Sequence, residues 1–374
     1  MKVYQCFHKY SPHINYFEER YKPIENNLSF KEWRNLLIKD GFASCNILQP
    51  AIEGKSEEVF YSMWDYENLQ FKWASENGLK TRNLDEIKLA QIEEYNPDVF
   101  YNFSPYYDGE FIRKIPDNKM IKICWDSIIT RRPAFHEKYD FRFSLFEPFV
   151  KYWNQHGFKS YILSPAFVNS WNELNRKQKD IDILFYGQFQ NYFFSDRNSI
   201  LVELAKWSKQ KGYVFNFHLQ LPNSRRPLIN KKGLRKWTRW MPVAPKIIMD
   251  NSLSPIYGRQ LYETIARSRI VINGFGNFNG LYKENMRNYE SIGCGAFLIS
   301  EDGIYPEHFV QNKDFLTYRN TSELFDKIEQ ILTLQDKGLE WTERSWNKLK
   351  KVYSKEKQWN SFVEAVNSIH LRSI

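Results

Sequence analysis

The stretch that decides the fold is Ile270–Ser300, which reads IVINGFGNFNGLYKENMRNYESIGCGAFLIS. It opens with an apolar run typical of a buried strand, continues through a loop with three glycines, and then places apolar residues at helical spacing. A Gly-Cys-Gly turn leads into a second apolar run, Ala296–Ile299. Two apolar strands joined by a helix indicate a βαβ unit, and therefore a parallel sheet covered by helices.

The helix of this unit, predicted over 282–292, carries three charged residues on one side. Lys283, Arg287 and Glu290 fall within about 60° of one another at 100° per residue, whereas apolar residues occupy the other side. Gly280 stands just before the predicted helix and lets a ligand approach the backbone. Because a helix N-terminus attracts anions, we expect this charged stripe to bind a phosphate group.

Glu290 needs a compensating partner, because a carboxylate in the last turn of a helix opposes the helix dipole. Ribose hydroxyls suit a fixed carboxylate acceptor, and an arginine is the other solution. The alternative interpretation is an ordinary exposed helix face, on which Arg287 and Glu290 form a surface ion pair of under about 1 kcal/mol. The sequence leaves both interpretations open at this point.

Strands and helices alternate along the rest of the chain as well. A capping box begins a helix at Ser29, and Gly41 ends it. Further strands are predicted in the first half at 2–7, 99–103, 121–125, 141–145 and 160–163. After a polar stretch at 169–179, the alternation resumes with the strand 181–186.

The predicted fold class is α/β, with two tandem Rossmann-like doubly wound domains and an interdomain cleft. The predicted boundaries are 1–170 for the first domain and 171–350 for the second. Residues 351–374 are predicted to form a C-terminal helix that packs back on the first domain. Ligands of such folds bind outside the carboxyl ends of the strands.

Length and composition exclude several classes of protein. The 374 residues correspond to about two average domains, and 42% hydrophobic and 17% aromatic residues exclude wholesale disorder. No apolar run reaches 18 residues, and the N-terminus lacks the apolar core of a signal peptide, so we expect a cytoplasmic protein. Cys6, Cys45, Cys124 and Cys294 show no metal-ligand spacing and are expected to be buried apolar residues.

The positive charge of the chain is concentrated in one segment. Between Leu204 and Met249 there are eleven Lys or Arg and no Asp or Glu, so the rest of the chain carries −2 of the net +9 (9 less 11). Within it, 225–246 mixes basic and aromatic residues, which suits the anionic inner face of the cytoplasmic membrane or a lipid-linked or anionic glycan. Single-stranded nucleic acid also fits this composition but is not expected as a partner. The alternative interpretation of 225–246 is a solvated loop or a lining of the phosphate pocket.

The segment Asn285-x-Arg287-x-x-Glu290-x-x-Gly293-Cys294-Gly295-Ala296 resembles the signature of glycosyltransferases with the GT-B fold. It is most similar to the group-1-like set that includes spore-maturation-type glycosyltransferases. Other resembling pieces occur in the same order, namely 91–99, 157–167, and 182–187 followed by Arg197. In one respect the chain departs from the family: Glu284 and Glu290 are six residues apart, where many GT-B enzymes have two glutamates seven apart. Glu284 is therefore not assigned a role with the sugar.

The resemblance implies an enzyme that moves a sugar from a nucleotide-sugar donor to a glycan, lipid-linked or protein acceptor, in cell-surface polysaccharide assembly. It also implies that 1–170 is the acceptor-side domain and that 171–350 binds the nucleotide sugar. No metal and no cofactor are expected, the nucleotide sugar being a co-substrate. In the family, the glutamate matched by Glu290 holds the ribose and basic residues hold the diphosphate. The residues implied to bind the nucleotide sugar are Gly187, Arg197, Asn273, Gly280, Lys283, Arg287 and Glu290.

Arg287 is also a catalytic candidate, since a cation there can stabilise the charge that develops on the leaving diphosphate. An acceptor hydroxyl calls for a general base. Asp126 is the first candidate because it ends an apolar strand, and His8 is the second for the same reason. The alternatives are a turn cap for Asp126 and a hydrogen-bonded imidazole at a strand end for His8.

Two further patterns point to other classes of protein. Asp180-Ile181-Asp182 has the form of a metal-binding DxD, but it precedes an apolar strand instead of following one, which favours a solvated strand entry. The glycines of 274–280 resemble a dinucleotide fingerprint whose third glycine comes one residue late. The competing hypothesis for the whole chain is a non-catalytic carbohydrate- or nucleic-acid-binding protein on a degenerate GT-B fold.

Overall fold

The computed structural model describes residues 1–25, 27–107, 110–116, 119–126, 137–174, 178–190, 194–222, 244–276, 280–334 and 336–370. The chain divides into two units. Unit 1 comprises Met1–Val168, Tyr257–Arg259 and Tyr353–Ile374, and unit 2 comprises Asn169–Ile256 and Gln260–Val352. Most of the basic stretch 225–246 lies outside the described residues.

Unit 1 is a parallel sheet with helices between its strands. The strands are β1 (Val3–Phe7), β2 (Val59–Met63), β3 (Val99–Asn102), β4 (Ile121–Trp125), β5 (Phe141–Ser144) and β6 (Ser160–Ile162). The helices are α1 (Ser11–Glu25), α2 (Phe30–Asp40), α3 (Gln49–Ile52), α4 (Glu67–Glu76), α5 (Leu84–Tyr95) and α6 (Glu147–Gln155), followed near the end of the chain by α13 (Lys355–His370). All neighbouring strands among these pair in parallel.

The strand order of unit 1 is β2-β1-β3-β4-β5-β6. The order reverses between β1 and β3, because the chain adds β2 on one side of β1 and then continues on the other. In doubly wound sheets the crevice at such a switch point, at the carboxyl ends of the strands, is where ligands bind. His8 follows β1 and Ser104 follows β3, so both stand at this position.

Local sequence signals determine α2 without help from the rest of the fold. The Ser29 side chain accepts a hydrogen bond from the Glu32 N–H, and the Glu32 side chain accepts one from the Ser29 N–H. Gly41 ends the helix in the left-handed conformation, with φ 87°. The predicted capping box and glycine stop are therefore confirmed.

Helix α13 is fixed to unit 1 by a buried lysine. The Nζ of Lys355 donates to the carbonyl oxygens of Cys45 at 2.8 Å and Ile47 at 2.7 Å, and to Gln358 Oε1 at 2.9 Å. These three acceptors match the three donors of an ammonium group. Phe362, farther along α13, belongs to the same apolar core as Val3 of β1.

Unit 2 is a second parallel sheet. Its strands are β7 (Ile181–Gln188), β8 (Phe215–Gln220), β9 (Ser252–Leu253), β10 (Ser268–Asn273), β11 (Phe297–Glu301) and β12 (Leu316–Tyr318). The intervening helices are α7 (Ser195–Lys211), α8 (Lys246–Asn251), α9 (Gly258–Arg267), α10 (Met286–Gly293), α11 (Thr321–Thr333) and α12 (Asp336–Val352).

The strand order of unit 2 is β12-β11-β10-β7-β8-β9, the order of a Rossmann sheet. Its switch point lies between β7 and β10, which pair in parallel through Ile183 with Ile270 and Leu184 with Val271. These two strands are apolar and buried on both faces, as expected for the centre of a covered parallel sheet. The predicted fold class of tandem Rossmann-like α/β domains is confirmed.

Helix α10 begins later than the sequence predicts. The periodicity gave a start at Tyr282, but the helix begins at Met286, and its N-cap Asn285 has an extended backbone with φ −158°. Glu284, just before the helix, is buried, and its Oε1 accepts a hydrogen bond from Tyr289 at 2.6 Å. The segment from Lys283 to Asn285 is thus a non-helical entry to α10.

The four cysteines are all buried and unbridged, as predicted. Among the described residues, no helix is both long enough and apolar enough to span a membrane.

Replacing Lys355 by Met should destabilise unit 1 by about 2 kcal/mol, because the Ile47 carbonyl loses the lysine as its donor while the Cys45 carbonyl keeps the Ala166 N–H and Gln358. Lys357→Met, on the exposed face of the same helix, is the matched control. We expect faster amide hydrogen exchange over α13 and an earlier urea transition for the first variant only. Equal behaviour of the two variants would contradict the role given to Lys355.

Glu284 makes the stability of unit 2 dependent on pH. Burial raises the pKa of Glu284 from 4.5 to about 8, so between these values the folded chain holds a proton that the unfolded chain releases. Stability is therefore lost as the pH rises through this window. Glu284→Gln keeps an acceptor for Tyr289 but cannot ionise, and it should raise the melting temperature more at pH 8 than at pH 4.5. The exposed control Glu307→Gln should not change the melting temperature in this pH-dependent way. An equal rise in melting temperature for Glu284→Gln at both pH values would contradict the explanation.

Candidate functional site

The candidate site lies at the switch point of unit 2, where β7 ends with Tyr186, Gly187 and Gln188 and β10 ends with Asn273. Basic side chains from the helices that follow these strands reach the same edge. Arg197 comes from the first turn of α7, and Arg287 comes from the first turn of α10. Parallel strands bring these positions together although they are about a hundred residues apart in sequence.

Arg287 connects the two central strands. Its Nη1 donates to Asn273 Oδ1 at 2.8 Å, and its Nη2 donates to the backbone carbonyl of Tyr186. The guanidinium also lies over the rings of Phe185 and Tyr186, 4.9 and 4.5 Å from their centroids. Such contacts fix the planar group in one orientation, which favours directed recognition of an anion.

Asn273 organises the entry to α10. Its Nδ2 donates to Asn285 Oδ1 at 3.1 Å and to Asn288 Oδ1 at 2.7 Å. Asn288 in turn donates through Nδ2 to the Lys283 carbonyl at 2.9 Å. This chain of amides holds residues 283–285 out of the helix, so the N-terminus of α10 faces the end of β10.

Arg197 is 5% exposed, and its Nη2 donates to the Gln188 carbonyl. Its guanidinium lies over the Phe194 ring, 3.7 Å from the centroid. Burial, together with repulsion from Arg287, lowers the pKa of Arg197 to about 9. The two arginines are therefore near enough to disfavour each other's charge.

Neither arginine is neutralised by an ion pair within the part of the chain that the structure describes. No carboxylate there lies within 4.0 Å of Arg197 or Arg287, and the Nε of each is buried without a hydrogen-bond partner. Buried cations in proteins are almost always paired. Arg197 is buried and Arg287 is half-buried, and the carboxylates of Glu301 and Glu290 act on them only at longer range than an ion pair. Two adjacent cations in this situation form an environment suited to an anion with more than one charge.

Lys283 and Glu301 form the third side of the site. The Lys283 Nζ lies 2.9 Å from Glu301 Oε2, and the Phe275 N–H donates to Glu301 Oε1, also at 2.9 Å. Lys283 is buried, although it was predicted to lie on an exposed helix face. It precedes α10 and belongs to the non-helical entry.

Two glycines allow the arginines to approach the strands. Gly187 has φ +143°, and a Cβ there would lie 3.0 Å from Arg287 Nη2. A Cβ on Gly274 would lie 2.5 Å from Arg197 Cγ. Gly280, with φ +58°, is exposed and six residues before α10 begins, so its predicted place at the helix start is wrong. Residues 277–279 of the glycine-rich loop lie outside the described residues.

Glu290 is in the last turn of α10, as predicted, but it does not face solvent. It is 5% exposed, its Oε2 accepts a hydrogen bond from the Tyr186 hydroxyl at 2.8 Å, and the Tyr262 hydroxyl also bonds to it. Burial raises the pKa of Glu290, whereas these hydroxyls and Arg287 oppose that rise. The surface ion pair with Arg287, the alternative interpretation, is wrong.

The exposed charged stripe predicted for Lys283, Arg287 and Glu290 is therefore corrected. All three side chains belong to one region of unit 2, but each turns toward the interior to meet partners on β7, β10 or β11. Periodicity on a single helix could not show these partners, because they come from strands elsewhere in the chain. The functions predicted for these residues stay predictions.

The two candidate bases lie at the carboxyl edge of the sheet of unit 1. His8 is half-buried at the switch point, where its Nδ1 lies 2.6 Å from Ser104 Oγ and its ring stacks on Tyr107 at 3.6 Å between centroids. Asp126 is fully buried, and its Oδ1 accepts a hydrogen bond from Tyr106. Of the two, only His8 has side-chain surface that solvent reaches.

The carboxylates of the DxD pattern have partners at the opposite, amino-terminal edge of the sheet of unit 2. Asp180 forms an ion pair with Arg267, and Asp182 accepts from the Val214 N–H at 2.9 Å. Among the described residues, no group of three or more His, Cys, Asp or Glu is placed to hold a metal ion. The expected metal independence stays a prediction.

Sequence reasoning missed Tyr186, Asn288 and Glu301. Asn285 stood in the quoted motif but was not given a role. A signal for Glu301 was available, because a carboxylate that ends a buried strand beside a switch point is costly without a partner. For the tyrosines and asparagines no comparable signal exists in the sequence alone.

One family model matches the chain. Residues 197–364 match the family described as "Glycosyl transferase-like". This region begins at Arg197 and includes Asn273, Lys283, Arg287 and Glu301. No curated protein gives a significant match.

Solved structures of glycosyltransferases share the fold at low sequence identity. A glycosyltransferase from Rickettsia africae ESF-5 is 12% identical, with a TM-score of 0.54 and coverage of 98% of each chain. A mutant of S. aureus TarM, solved in complex with Fondaparinux, alpha-GlcNAc-glycerol and UDP, is 13% identical with a TM-score of 0.52, and the match covers 75% of this chain. An alpha-glucosyltransferase in complex with UDP-glucose and DNA is 10% identical, with a TM-score of 0.54 and coverage of 83% of this chain and 86% of that one.

The match spans only 58% of the length of TarM, so the likeness concerns the fold and not the whole of that protein. The spore-maturation subgroup is not tested by these comparisons and stays a prediction. The family match over residues 197–364 and the tandem Rossmann sheets agree with the wider resemblance: the chain has the GT-B fold, and its second unit is similar to a glycosyl transferase-like family.

Proposed function

We propose that the chain transfers a sugar from a nucleotide-sugar donor to a glycan, lipid-linked or protein acceptor, without a metal. The observation that carries the proposal is the pair Arg197 and Arg287, which stand together at the switch point of unit 2 without a carboxylate within 4.0 Å among the described residues. A diphosphate supplies two negative groups to such a pair. A single carboxylate would leave one cation uncompensated.

The chemistry of glycosyl transfer supports the same assignment. The bond to the donor sugar breaks through an oxocarbenium-like transition state, and negative charge grows on the leaving diphosphate. Arg287, fixed by Tyr186 and Asn273, would stabilise that charge without reorganising. Lys283 and the N-terminus of α10 would add to the effect, because both face the end of β10.

The acceptor side of the proposal concerns unit 1. His8 stands at a switch point and is half-buried, so it is the better-placed candidate to take a proton from an acceptor hydroxyl. Asp126 is buried with Tyr106, an arrangement that suits positioning of the neighbouring loop. Both assignments are proposals, and so is a role in cell-surface polysaccharide assembly. The contact of 225–246 with an anionic membrane is proposed from its composition alone.

Glu290 would contact the ribose, as the family resemblance implies. Its carboxylate already accepts from two hydroxyl groups, which is the chemistry that the vicinal hydroxyls of a ribose offer. A ribose that reached Glu290 would replace a tyrosine hydroxyl. Tyr186 and Tyr262 would then hold the carboxylate in place when no nucleotide is bound.

The diphosphate assignment predicts nucleotide binding that depends on Arg287. In calorimetric titrations at up to millimolar concentration, the protein should bind at least one of UDP, GDP and CDP. Arg287→Met should weaken that binding about tenfold or more, because a charge-assisted pair of hydrogen bonds is lost. Arg287→Lys should weaken it less, since the charge remains while the fork geometry is lost.

The control for these variants is Arg319→Met, which changes an exposed arginine of unit 2 that pairs with Asp302. Absence of nucleotide binding by the unmodified protein would overturn the proposed donor site. Turnover of a donor sugar in the absence of acceptor would support the enzyme. Steeply salt-dependent oligonucleotide binding without turnover would instead favour the non-catalytic binding protein.

The ribose assignment predicts discrimination by the sugar of the nucleotide. The unmodified protein should bind UDP more tightly than 2′,3′-dideoxy-UDP, and Glu290→Gln should lose most of this preference because a charged acceptor becomes neutral. Calorimetric titration of UDP and 2′,3′-dideoxy-UDP into the unmodified protein and into the variant measures this preference. If Glu290→Gln keeps the full preference, the carboxylate serves Tyr186 and Tyr262 only.

A further inference from the structure

Glu301 joins the two ends of the loop that follows β10. Its Oε1 accepts from the N–H of Phe275, the second residue after the strand, and its Oε2 pairs with Lys283, the third residue before α10. The segment between these residues contains the glycine-rich loop. One carboxylate at the end of β11 therefore holds both the start and the exit of that loop.

Backbone contacts keep this arrangement in place. The Lys283 N–H donates to the Ile304 carbonyl at 2.8 Å, and the Ile304 N–H donates to the Leu281 carbonyl at 2.7 Å. The Tyr305 hydroxyl donates to the Glu301 carbonyl. A Cβ on Gly303 would lie 2.5 Å from Lys283 Cγ, so the lysine stem lies directly against this turn.

The position of Glu301 is unfavourable for anion binding unless the residue has a further task. A carboxylate beside a phosphate site repels the ligand, so its simple removal should strengthen binding of an anion. Its side chain is nevertheless only 21% exposed, and that of Lys283 only 11%. Both oxygens are engaged, one by the Phe275 N–H and the other by the Lys283 ammonium, a residue predicted to bind the nucleotide sugar.

We propose that Glu301 is a positioning residue: it anchors itself on the Phe275 N–H and holds the Lys283 ammonium in the orientation that receives the diphosphate of the donor. The inference rests on the proposed function and adds a residue that the family match does not single out. Lys283 donates to Glu301 through one of its three hydrogens, and the remaining hydrogens can serve a phosphate oxygen. Glu301 itself does not touch the reacting atoms.

The test uses UDP as the probe and compares single and double variants by calorimetry. Glu301→Gln keeps an acceptor for the Phe275 N–H but removes the charge that holds Lys283. We expect its dissociation constant for UDP to rise about fivefold to tenfold, with a smaller change for UMP, which lacks the second phosphate. In the Lys283→Met background, the same substitution should have no further effect. Glu307→Gln is the exposed control.

Two results decide the outcome: the direction of the change in UDP affinity, and whether the effects of the Glu301 and Lys283 substitutions are coupled. UDP binding by Glu301→Gln that equals or exceeds that of the unmodified protein would overturn the proposal, and so would additive effects of Glu301→Gln and Lys283→Met. Should Glu301→Gln fail to fold, Glu301→Asp gives the same comparison: it keeps the charge but withdraws it by one methylene. Unchanged UDP affinity in that variant overturns the proposal. The two possible failures can be told apart. If the unmodified protein binds no nucleoside diphosphate, the proposed function itself fails, whereas normal binding by the unmodified protein with unchanged affinity in the variants contradicts only the role of Glu301.

Discussion

The interaction on which unit 2 depends is the guanidinium of Arg287 between the ends of β7 and β10. A doubly wound sheet leaves a crevice at its switch point, where the backbone groups of two central strands diverge. Arg287 satisfies the Tyr186 carbonyl on one side and Asn273 on the other. Removal of this group would break the link between the two strands and leave Asn273 Oδ1 with Asn285 Nδ2 as its donor, in the place where the proposed ligand binds.

Local signals were sufficient for much of the fold. The capping box at Ser29 and the glycine at 41 define α2 within a few residues, and the apolar runs of β4 and β10 are long enough to predict strands. The alternation of these elements then leaves few topologies other than tandem parallel sheets. Such features depend on neighbours in sequence, which is why the sequence alone could supply them.

The site was harder to predict because its contacts are non-local. Lys283 and Glu284 are good helix formers, so periodicity extended α10 backward, but the amides of Asn273 and Asn288 hold this segment outside the helix. The sequence predicted the helical turn of Glu290 correctly but not its contact with Tyr186, since Tyr186 comes from a strand about a hundred residues earlier. Spacing on one helix shows which side chains lie side by side, not which strand they meet.

The anchoring of α13 by Lys355 has a consequence for biosynthesis. The ribosome makes β1 to β6 before unit 2 and Lys355 after it, yet the carbonyls of Cys45 and Ile47 both accept hydrogen bonds from that lysine. Unit 1 therefore cannot reach its final form before α13 has emerged, because Phe362 of that helix covers part of its core. A gene fragment ending at Val168 would yield a chain that lacks this closing element.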